Sequence, residues 1–396
     1  MQETDKNINS RTNESLPLAG FRVLERSRTV AAAYAGRLLA TMGAEVVMLE
    51  PETGSPLRSS PPFLENGDSA LFAYLAAGKR SLICDPSQDD GLRILHSELQ
   101  KADIFIDDTR VADRTNQGID SEAISICFPS LVHVSVLPFG ATGSKADWDG
   151  EEVNLVHASG EGFLLPNGFS YELFPDRPPL KMYGHFANYQ GGTVAALSAL
   201  SALWCVDKTG GQFIDVSVQD AMLLCGAFAM QRLGDGSLEH RSTRSFRYGG
   251  VFETKEGFVE LLTLEERQWQ GLVKLLGSPL WAVDNAFEDP LERSRRGDEI
   301  NGHIRVWMLH HYADEIVHKA QELGVPIARY RTPADVVAGE HEKSRGLFQS
   351  VALEDGRNAD ILLAPYQFKY SSLAFSRGIP VLGEKSVAED TSEVMP

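Results

Sequence analysis

Residues 21–50, FRVLERSRTVAAAYAGRLLATMGAEVVMLE, decide the fold of this chain. The runs FRVLER (21–26) and AEVVMLE (44–50) are short and mostly apolar, which is typical of buried strands. Between them, residues 31–43 carry apolar side chains at the spacing of one helix face and end in a glycine. A strand, a helix and a second strand in this order predict a βαβ unit whose strands are parallel.

The alternation of strands and helices continues to about residue 139. Strand-like runs lie at 81–85, 102–108 and 131–139, and a helix-like segment lies near 89–101. This alternation predicts an α/β fold with a doubly wound, Rossmann-like sheet. The first strand-to-helix turn lacks the GxGxxG pattern that lets a pyrophosphate approach the backbone, so we expect no NAD site.

A smaller α+β domain is predicted after about residue 245. Residues 248–264 are typical of a hairpin, 266–277 of a helix, and 324–338 of a strand and helix that return to the first domain. Both chain ends would then build the large domain. The predicted boundaries are a disordered lead-in at 1–17, the first part of the large domain at 18–225, the small α+β domain with its linkers at 226–323, and the return to the large domain with a C-terminal tail at 324–396.

The composition is that of an ordinary soluble globular protein. The chain has 396 residues, and 55 acidic against 37 basic side chains give a formal net charge of −18. Nucleic acid and anionic membrane surfaces would repel such a chain, so we expect neither as a partner. Four cysteines without CxxC spacing indicate a reducing cytoplasm, and we expect no metal site.

The segment GHFANYQGG (184–192) is typical of a turn that opens a helix, and the helix that follows, TVAALSALSALWCV (193–206), consists mostly of small residues. Asn188 lies in this turn, where a reactive side chain would be presented. A carboxamide forms hydrogen bonds but is not a nucleophile at neutral pH. The turn therefore has the layout of an active-site turn without the reactive group.

Eight segments, taken in order, resemble the class III CoA-transferases, the family of formyl-CoA transferase, carnitine CoA-transferase and α-methylacyl-CoA racemase. No single segment is specific, but the set spans about residues 17–385. The segments are LAGFRVLERS (18–27), TMGAEVVMLEPETGSPLR (41–58), AAGKRSLICD (76–85), KADIFIDD (101–108), FPSLVHVSVLPFGATGS (128–144), PPLKMYGHFANYQGG (178–192), KTGGQFIDVSVQDAM (208–222) and GVPIARYRTPADV (324–336).

The resemblance implies an interlocked dimer and covalent catalysis by one aspartate. In the family this carboxylate attacks an acyl-CoA thioester, so that one difficult exchange becomes several easier ones through mixed anhydrides and an aspartyl-CoA thioester. Counting back from Lys208 through the ungapped helix places that aspartate at Asn188. The resemblance therefore implies that this chain lacks the family's nucleophile.

The resemblance also implies which residues contact CoA. A family segment that passes near the cofactor corresponds to Gly78, Lys79 and Arg80, and a further lysine corresponds to Lys145. Another family segment, rich in glycine, has become residues 107–112 and begins with two aspartates. These acids would lie where the phosphates of CoA need neutral or basic groups.

We therefore expect a subunit of a heteromeric CoA-transferase, comparable to the succinyl-CoA:(R)-benzylsuccinate CoA-transferase of anaerobic toluene degradation. A homologous sister chain would supply the aspartate, and CoA would move between an acyl-CoA and a small carboxylic acid, with no metal and no NAD. A group of residues is expected to contact the acid or to shape the partner's site, namely His185, Arg241, Arg244, Arg247, Gly249 and Gly250.

Two other functions stay open. The first is a regulatory protein that binds acyl-CoA without converting it. The second is a racemase or lyase that acts through other residues. In the racemase branch a histidine and an aspartate move the proton; Glu151 takes the place of that histidine, and His185 is the nearest titratable group to Asn188.

Overall fold

The computed structural model divides the chain into two compact units, and it describes residues 16–165, 175–226, 248–353 and 356–384. The first unit combines residues 1–163, 179–238 and 343–396, so it includes both ends of the chain. The second unit combines residues 164–178 and 239–342.

A six-stranded parallel sheet forms the centre of the first unit. Its strands are β1 Arg22–Arg26, β2 Glu45–Glu50, β3 Arg80–Ile83, β4 Ile104–Asp107, β5 Val132–Leu137 and β6 Phe213–Ser217. They lie in the order β3-β2-β1-β4-β5-β6, all parallel, so the progression of the chain reverses between β1 and β4. This is the arrangement of a doubly wound sheet, and the predicted Rossmann-like fold is confirmed.

Helices of the first unit pack on both faces of the sheet. They are α1 Val30–Thr41, α2 Ala70–Ala76, α3 Asp89–Leu99, α4 Val111–Arg114, α5 Ser121–Cys127, α6 Glu152–Ala158, α7 Phe186–Thr209 and α8 Val218–Gly226. Val23 of β1 packs in the cluster with α1 and α7, whereas its neighbour Leu24 packs in the cluster with α3 and α5. Successive residues of a strand point to opposite faces, so each strand supplies both cores. None of the described helices is long and apolar enough to cross a membrane.

Helices α1 and α7 approach each other closely, which explains the small residues of α7. A Cβ atom at Gly192 would lie 2.5 Å from the carbonyl oxygen of Ala31, in the first turn of α1. Ala195 and Ala199 of α7 are fully buried in the same cluster. Larger side chains here would push the two helices apart, because a packed interior has no room for extra methylene groups.

The N-terminus of α1 is held by Asp108, which follows β4. One carboxylate oxygen, Oδ2, accepts the backbone N–H of Arg28 at 2.7 Å and that of Thr29 at 2.6 Å. Asp108 is buried, and the other oxygen, Oδ1, has no hydrogen-bond partner among the described residues. Burial disfavours the charged form and raises the pKa of Asp108 to about 6.

A buried ion pair joins β1 to the start of β3. The ammonium of Lys79 lies 2.6 Å from Oε2 of Glu25, both side chains are fully buried, and Lys79 also donates to the carbonyl of Ala33 at 2.8 Å. Ser27 donates to the other carboxylate oxygen of Glu25. A Cβ atom at Gly36 would lie 1.7 Å from Oε2 of Glu25, so the carboxylate occupies the space that this glycine leaves.

The C-terminal part of the first unit is attached through a buried arginine. An antiparallel hairpin is formed by β10 Phe348–Ala352 and β11 Asn358–Leu362. The guanidinium of Arg37 on α1 donates to the backbone carbonyls of Tyr74 and Leu362, and it stacks on the ring of Tyr74. One side chain therefore joins α1, α2 and this hairpin.

The second unit has its own sheet and core. Its strands are β7 Gly250–Glu253, β8 Phe258–Leu261 and β9 Ile327–Arg329, and its helices are α9 Glu266–Leu275, α10 Pro290–Arg295, α11 Gly297–Met308, α12 Ala313–Glu322 and α13 Pro333–Ala338. A short helix, α14 Glu340–Ser344, spans the boundary at residue 342. Strands β7 and β8 form the predicted antiparallel hairpin. Trp269 is buried at the centre of the core and contacts Tyr248 and Phe287 edge-on or tilted.

Strand β9 belongs to the second unit, which differs from the predicted return to the large domain at residue 324. Ile327 pairs antiparallel with Leu261 of β8. Val325 and Ile327 are buried in the core of the second unit. The second unit therefore extends to residue 342, because this strand completes its sheet and core.

Replacing Lys79 with methionine should destabilise the first unit strongly, because it leaves the carboxyl of Glu25 buried without its partner. Removing one member of a buried ion pair typically costs about 3–5 kcal/mol. Urea unfolding followed by circular dichroism measures the change. The matched control is Arg93→Gln, which breaks the exposed Arg93–Asp90 pair and should hardly move the midpoint. Equal shifts for the two variants would contradict the role of the buried pair.

Asp108 should make the protein less stable as the pH rises from about 4 to about 6. The unfolded carboxyl has a pKa near 3.9, whereas that of folded Asp108 is about 6, so the unfolded state gives up its proton first in this window. Above pH 6 this difference in pKa lowers the free energy of unfolding by roughly 3 kcal/mol. Asp108→Asn cannot titrate, so its stability relative to the natural chain should rise across the window. If the difference in unfolding free energy between Asp108→Asn and the natural chain stays constant from pH 4 to 7, this prediction is refuted.

Candidate active site

The first turn of α7 is the centre of the candidate site. His185 is the N-cap residue, and Phe186, Ala187 and Asn188 form the first helical positions. The free N–H groups at this end of a 24-residue helix favour a negative charge, because the helix dipole points its positive end there. The helix therefore offers a built-in anion site around Asn188.

A carboxylate from another helix occupies this position. Glu152, the first residue of α6, accepts the backbone N–H of Ala187 at 2.7 Å through Oε1 and that of Asn188 at 3.2 Å through Oε2. The side-chain Nδ2 of Asn188 donates to the same Oε2 at 2.7 Å. Glu152 is 7% exposed, so three donors hold its charge in a largely dry environment.

The pairing gives position 188 a physical reason to be an amide. An aspartate there would place a second carboxylate within hydrogen-bonding distance of Glu152, and two such charges oppose each other's ionisation. Asn188 instead donates a hydrogen bond to Glu152. The sequence interpretation missed this role of Glu152, since the contact joins residues 36 positions apart.

Aromatic side chains lie in the same turn as Asn188 and beside it. The ring of Tyr189 lies 4.7 Å from that of Tyr34 and 6.3 Å from that of His185. Burial raises the pKa of Tyr189 to about 12 and also raises the pKa of Tyr34. Both phenols are therefore neutral at physiological pH and supply no general base.

Three residues that the sequence assigned to CoA lie around the start of β3 and not in this turn. Gly78, Lys79 and Arg80 mark the amino end of β3, whereas α7 packs against α1, which follows the carboxyl end of β1. Lys79 is fully buried against Glu25, and Arg80 lies near Glu45. The ammonium of Lys79 is therefore not available to a phosphate.

Lys145 lies in the loop that follows β5. Its ammonium is 5.3 Å from the ring centroid of Phe139 and 5.4 Å from that of Trp148, both distances within the range of cation–π attraction. The loop is tied to α4 because Asp147 accepts the backbone N–H of Ala112 at 3.1 Å. Lys145 is thus at the carboxyl edge of the sheet, in contrast to Lys79.

The two aspartates that end β4 point into the protein. Asp107 bonds the ring of His133 at 2.6 Å, and Asp108 binds the N-terminus of α1. Both residues are buried. The expectation that these acids would face the phosphates of CoA is therefore wrong, because each carboxylate has an internal partner.

A polar cavity of about 510 Å³ opens at the carboxyl ends of β1, β2 and β3. Arg26, Ser27 and Arg28 line it from the first strand-to-helix turn, and Ser55 and Ser59 line it from the segment after β2. Ligands of doubly wound sheets bind at this edge. The run RSR at 26–28 indicates this cavity in the sequence, but the sequence analysis assigned no site to it.

The remaining predicted site residues lie in the second unit or outside the described residues. Gly249 and Gly250 have φ values of +97° and +99°, which favour glycine. The backbone N–H of Gly249 donates to the buried side chain of Asn301 at 2.8 Å. Arg241, Arg244 and Arg247 lie outside the described residues. Among the residues that the structure does describe, no three His, Cys, Asp or Glu side chains meet as a metal site.

Known proteins match the chain over nearly its whole length. A succinate–glutarate CoA-transferase of Agrobacterium fabrum is 28% identical over 390 residues, covering 94% of each chain. The alpha subunit of a succinyl-CoA–L-malate CoA-transferase of Chloroflexus aurantiacus is 27% identical over 86% of this chain and 75% of that subunit, and the beta subunit is 24% identical over 87% and 85%.

A solved structure agrees with this result. The crystal structure of a CAIB/BAIF family protein from Brucella suis superimposes with a TM-score of 0.83 at 25% identity, over 96% of this chain and 99% of that one. The family model described as CoA-transferase family III matches residues 18–386. The chain therefore belongs to CoA-transferase family III.

Proposed function

We propose that this chain is the non-nucleophilic subunit of a CoA-transferase that moves CoA between succinyl-CoA and a dicarboxylic acid. A homologous subunit would supply the aspartate that attacks the thioester. The observation that carries the proposal is the hydrogen bond from the carboxamide of Asn188 to the carboxylate of Glu152, at the turn where the family resemblance places the nucleophile.

Neither side chain of this pair is suited to attack a thioester. The nitrogen lone pair of a carboxamide is delocalised into its carbonyl, and the group has no negative charge at neutral pH. Three N–H donors engage the carboxylate oxygens of Glu152, and the helix dipole favours negative charge at this position. A carboxylate stabilised in this way is a weak nucleophile, because attack would have to break those hydrogen bonds.

Exposed apolar side chains support a partner subunit. Leu197 and Trp204 of α7 are 64% and 89% exposed, and Leu224 of α8 is 73% exposed. Large exposed apolar surfaces mark interaction sites. The Chloroflexus aurantiacus relatives are named as alpha and beta subunits, which favours a homologous partner. An interlocked arrangement would let Gly249 and Gly250 shape the partner's site.

The relatives and the carboxyl-edge cavity support the proposed substrates. Several relatives are named for succinyl-CoA and for dicarboxylates such as malate, mesaconate and citramalate. Benzylsuccinate, a substituted succinate, stays among the candidate acceptors, with Arg241, Arg244 or Arg247 as carboxylate clamps. We place the phosphates of CoA at the cavity lined by Arg26 and Arg28, with Lys145 as a further cation.

The purified chain alone should show no CoA exchange, and activity should appear when a homologous subunit with the aspartate is added. The assay follows transfer from succinyl-CoA to malate, mesaconate or benzylsuccinate. Full activity of the lone chain would overturn the proposal.

Calorimetry with CoA separates the regulatory alternative, since tight binding without activity in any pairing would favour it. Deuterium exchange at the α-carbon of an acyl-CoA that His185→Gln abolishes would favour the racemase alternative.

Exchanging the two groups of the pair should create a nucleophile. In Asn188→Asp/Glu152→Gln the carboxylate stands at position 188 and the amide at 152, so their hydrogen bond can re-form. Incubation with succinyl-CoA should then give a covalent acyl or CoA adduct, detected by intact mass and removed by hydroxylamine. Asn188→Asp alone should react more weakly at pH 7, because the charge of Glu152 raises the pKa of the new carboxyl.

The natural chain is the control for this experiment and should form no adduct. A hydroxylamine-sensitive adduct on the natural chain, mapped to Glu152 or to any other residue, would show that the chain has a nucleophile of its own. Absence of an adduct in the exchanged variant, with unfolding unchanged, would show that the turn lacks more than a carboxylate.

A further inference from the structure

We propose a second anion-binding site, at the edge of the central sheet opposite to Asn188. It is a cavity of about 560 Å³ at the amino ends of β1, β2 and β3. Its ligand is a small anion with at least two negative charges. The site does not depend on the proposed function, because it shares no residue with the first turn of α7 or with the carboxyl-edge cavity.

Four basic residues line this cavity, in a chain whose formal net charge is −18. They are Arg22 at the start of β1, Arg80 at the start of β3, Lys101 after α3, and Arg377 from the C-terminal segment. Among the described residues that line the cavity, Glu45 is the one acidic residue. Such a concentration of cations is unexpected for an acidic protein unless the charge has a local use.

The acids nearby neutralise two of the four cations well. Arg22 lies 2.5 Å from Glu98 and 3.1 Å from Glu45, and Lys101 lies 2.7 Å from Glu98. These short contacts are ordinary ion pairs, so Arg22 and Lys101 have strong internal partners. Lys101 still keeps its ammonium half exposed at the cavity.

The other two cations are less well neutralised. Arg80 is 8% exposed, yet its contacts to Glu45 and Glu384 are long, at 3.4 and 3.8 Å, and its Nε has no hydrogen-bond partner among the described residues. Arg377 is exposed and forms no ion pair with any residue that the structure describes. A guanidinium presents several N–H donors in a fixed fork that matches carboxylate and phosphate oxygens.

The helix dipoles do not favour an anion at this edge. Helices α1 and α2 end here, at Thr41 and Ala76, and the carboxyl end of a helix carries partial negative charge. The cations would offset these ends even without a ligand. An anion bound here must therefore be held by side chains, which makes the site sensitive to removal of Arg377 or Lys101.

Calorimetry on the full chain tests the site, with citrate and inorganic pyrophosphate as probes at constant ionic strength. We expect one equivalent of at least one probe to bind. The stronger probe identifies a carboxylate or a phosphate ligand. Arg377→Gln should weaken binding at least tenfold, and Arg377→Gln/Lys101→Gln further. Two controls should leave the affinity unchanged, namely Arg93→Gln at an exposed position of α3 and Arg28→Gln at the carboxyl-edge cavity.

Three results would overturn the proposal. The first is no binding of either probe at millimolar concentration. The second is binding that Arg28→Gln abolishes or that saturating CoA displaces, since the anion would then occupy the carboxyl-edge cavity. The third is equal affinity in Arg377→Gln and the natural chain, with both folded by circular dichroism. If a reconstituted enzyme shows no CoA-transferase activity, that result contradicts the proposed function and not the proposal of this anion site.

Discussion

The close approach of α1 and α7 is the constraint on which the candidate site depends. Because Gly192 leaves no Cβ between the helix and the carbonyl of Ala31, the second turn of α7 packs against the first turn of α1. Asp108 holds that turn of α1 by its backbone N–H groups. The N-termini of α1 and α7 both lie at the carboxyl edge of the sheet. The carboxylate of Asp108 accepts backbone N–H groups at the start of α1, and that of Glu152 accepts those at the start of α7.

This arrangement limits how much negative charge the site can hold. Glu152 already occupies the N–H groups of α7, so a further carboxylate at position 188 would raise the pKa of one of the two acids. With Asn188 the site holds a single charge and a satisfied amide. An amide at position 188 is therefore compatible with the contacts that hold the first turn of α7.

Local patterns in the sequence predicted the architecture of the first unit. The strand, helix and strand of residues 21–50 lie next to one another in space, so periodicity was sufficient to identify them. The β7–β8 hairpin was predicted for the same reason. Strand β9 was assigned to the wrong unit, because its partner β8 lies more than 60 residues earlier and no local pattern specifies that pairing.

The candidate site was predicted less completely, since its contacts join distant segments. The resemblance predicted the site at Asn188, and this stays a prediction; it also made Lys79 a cation for CoA, whereas Lys79 pairs with Glu25 across 54 positions of sequence. Composition does not distinguish a buried lysine from an exposed one when its partner is remote. Glu152 was overlooked for the same reason.

The two edges of the central sheet differ in how they can hold anions. At the carboxyl edge, helix N-termini supply backbone donors, so Asp108 and Glu152 are bound chiefly through N–H groups. At the amino edge the helices present their carboxyl ends, and negative charge there must be balanced by side chains such as Arg22 and Arg80. Backbone donors are present whatever the side chains are, whereas side-chain cations can be lost one by one. Binding at the carboxyl edge is therefore a property of the fold, and binding at the amino edge is a property of this particular sequence.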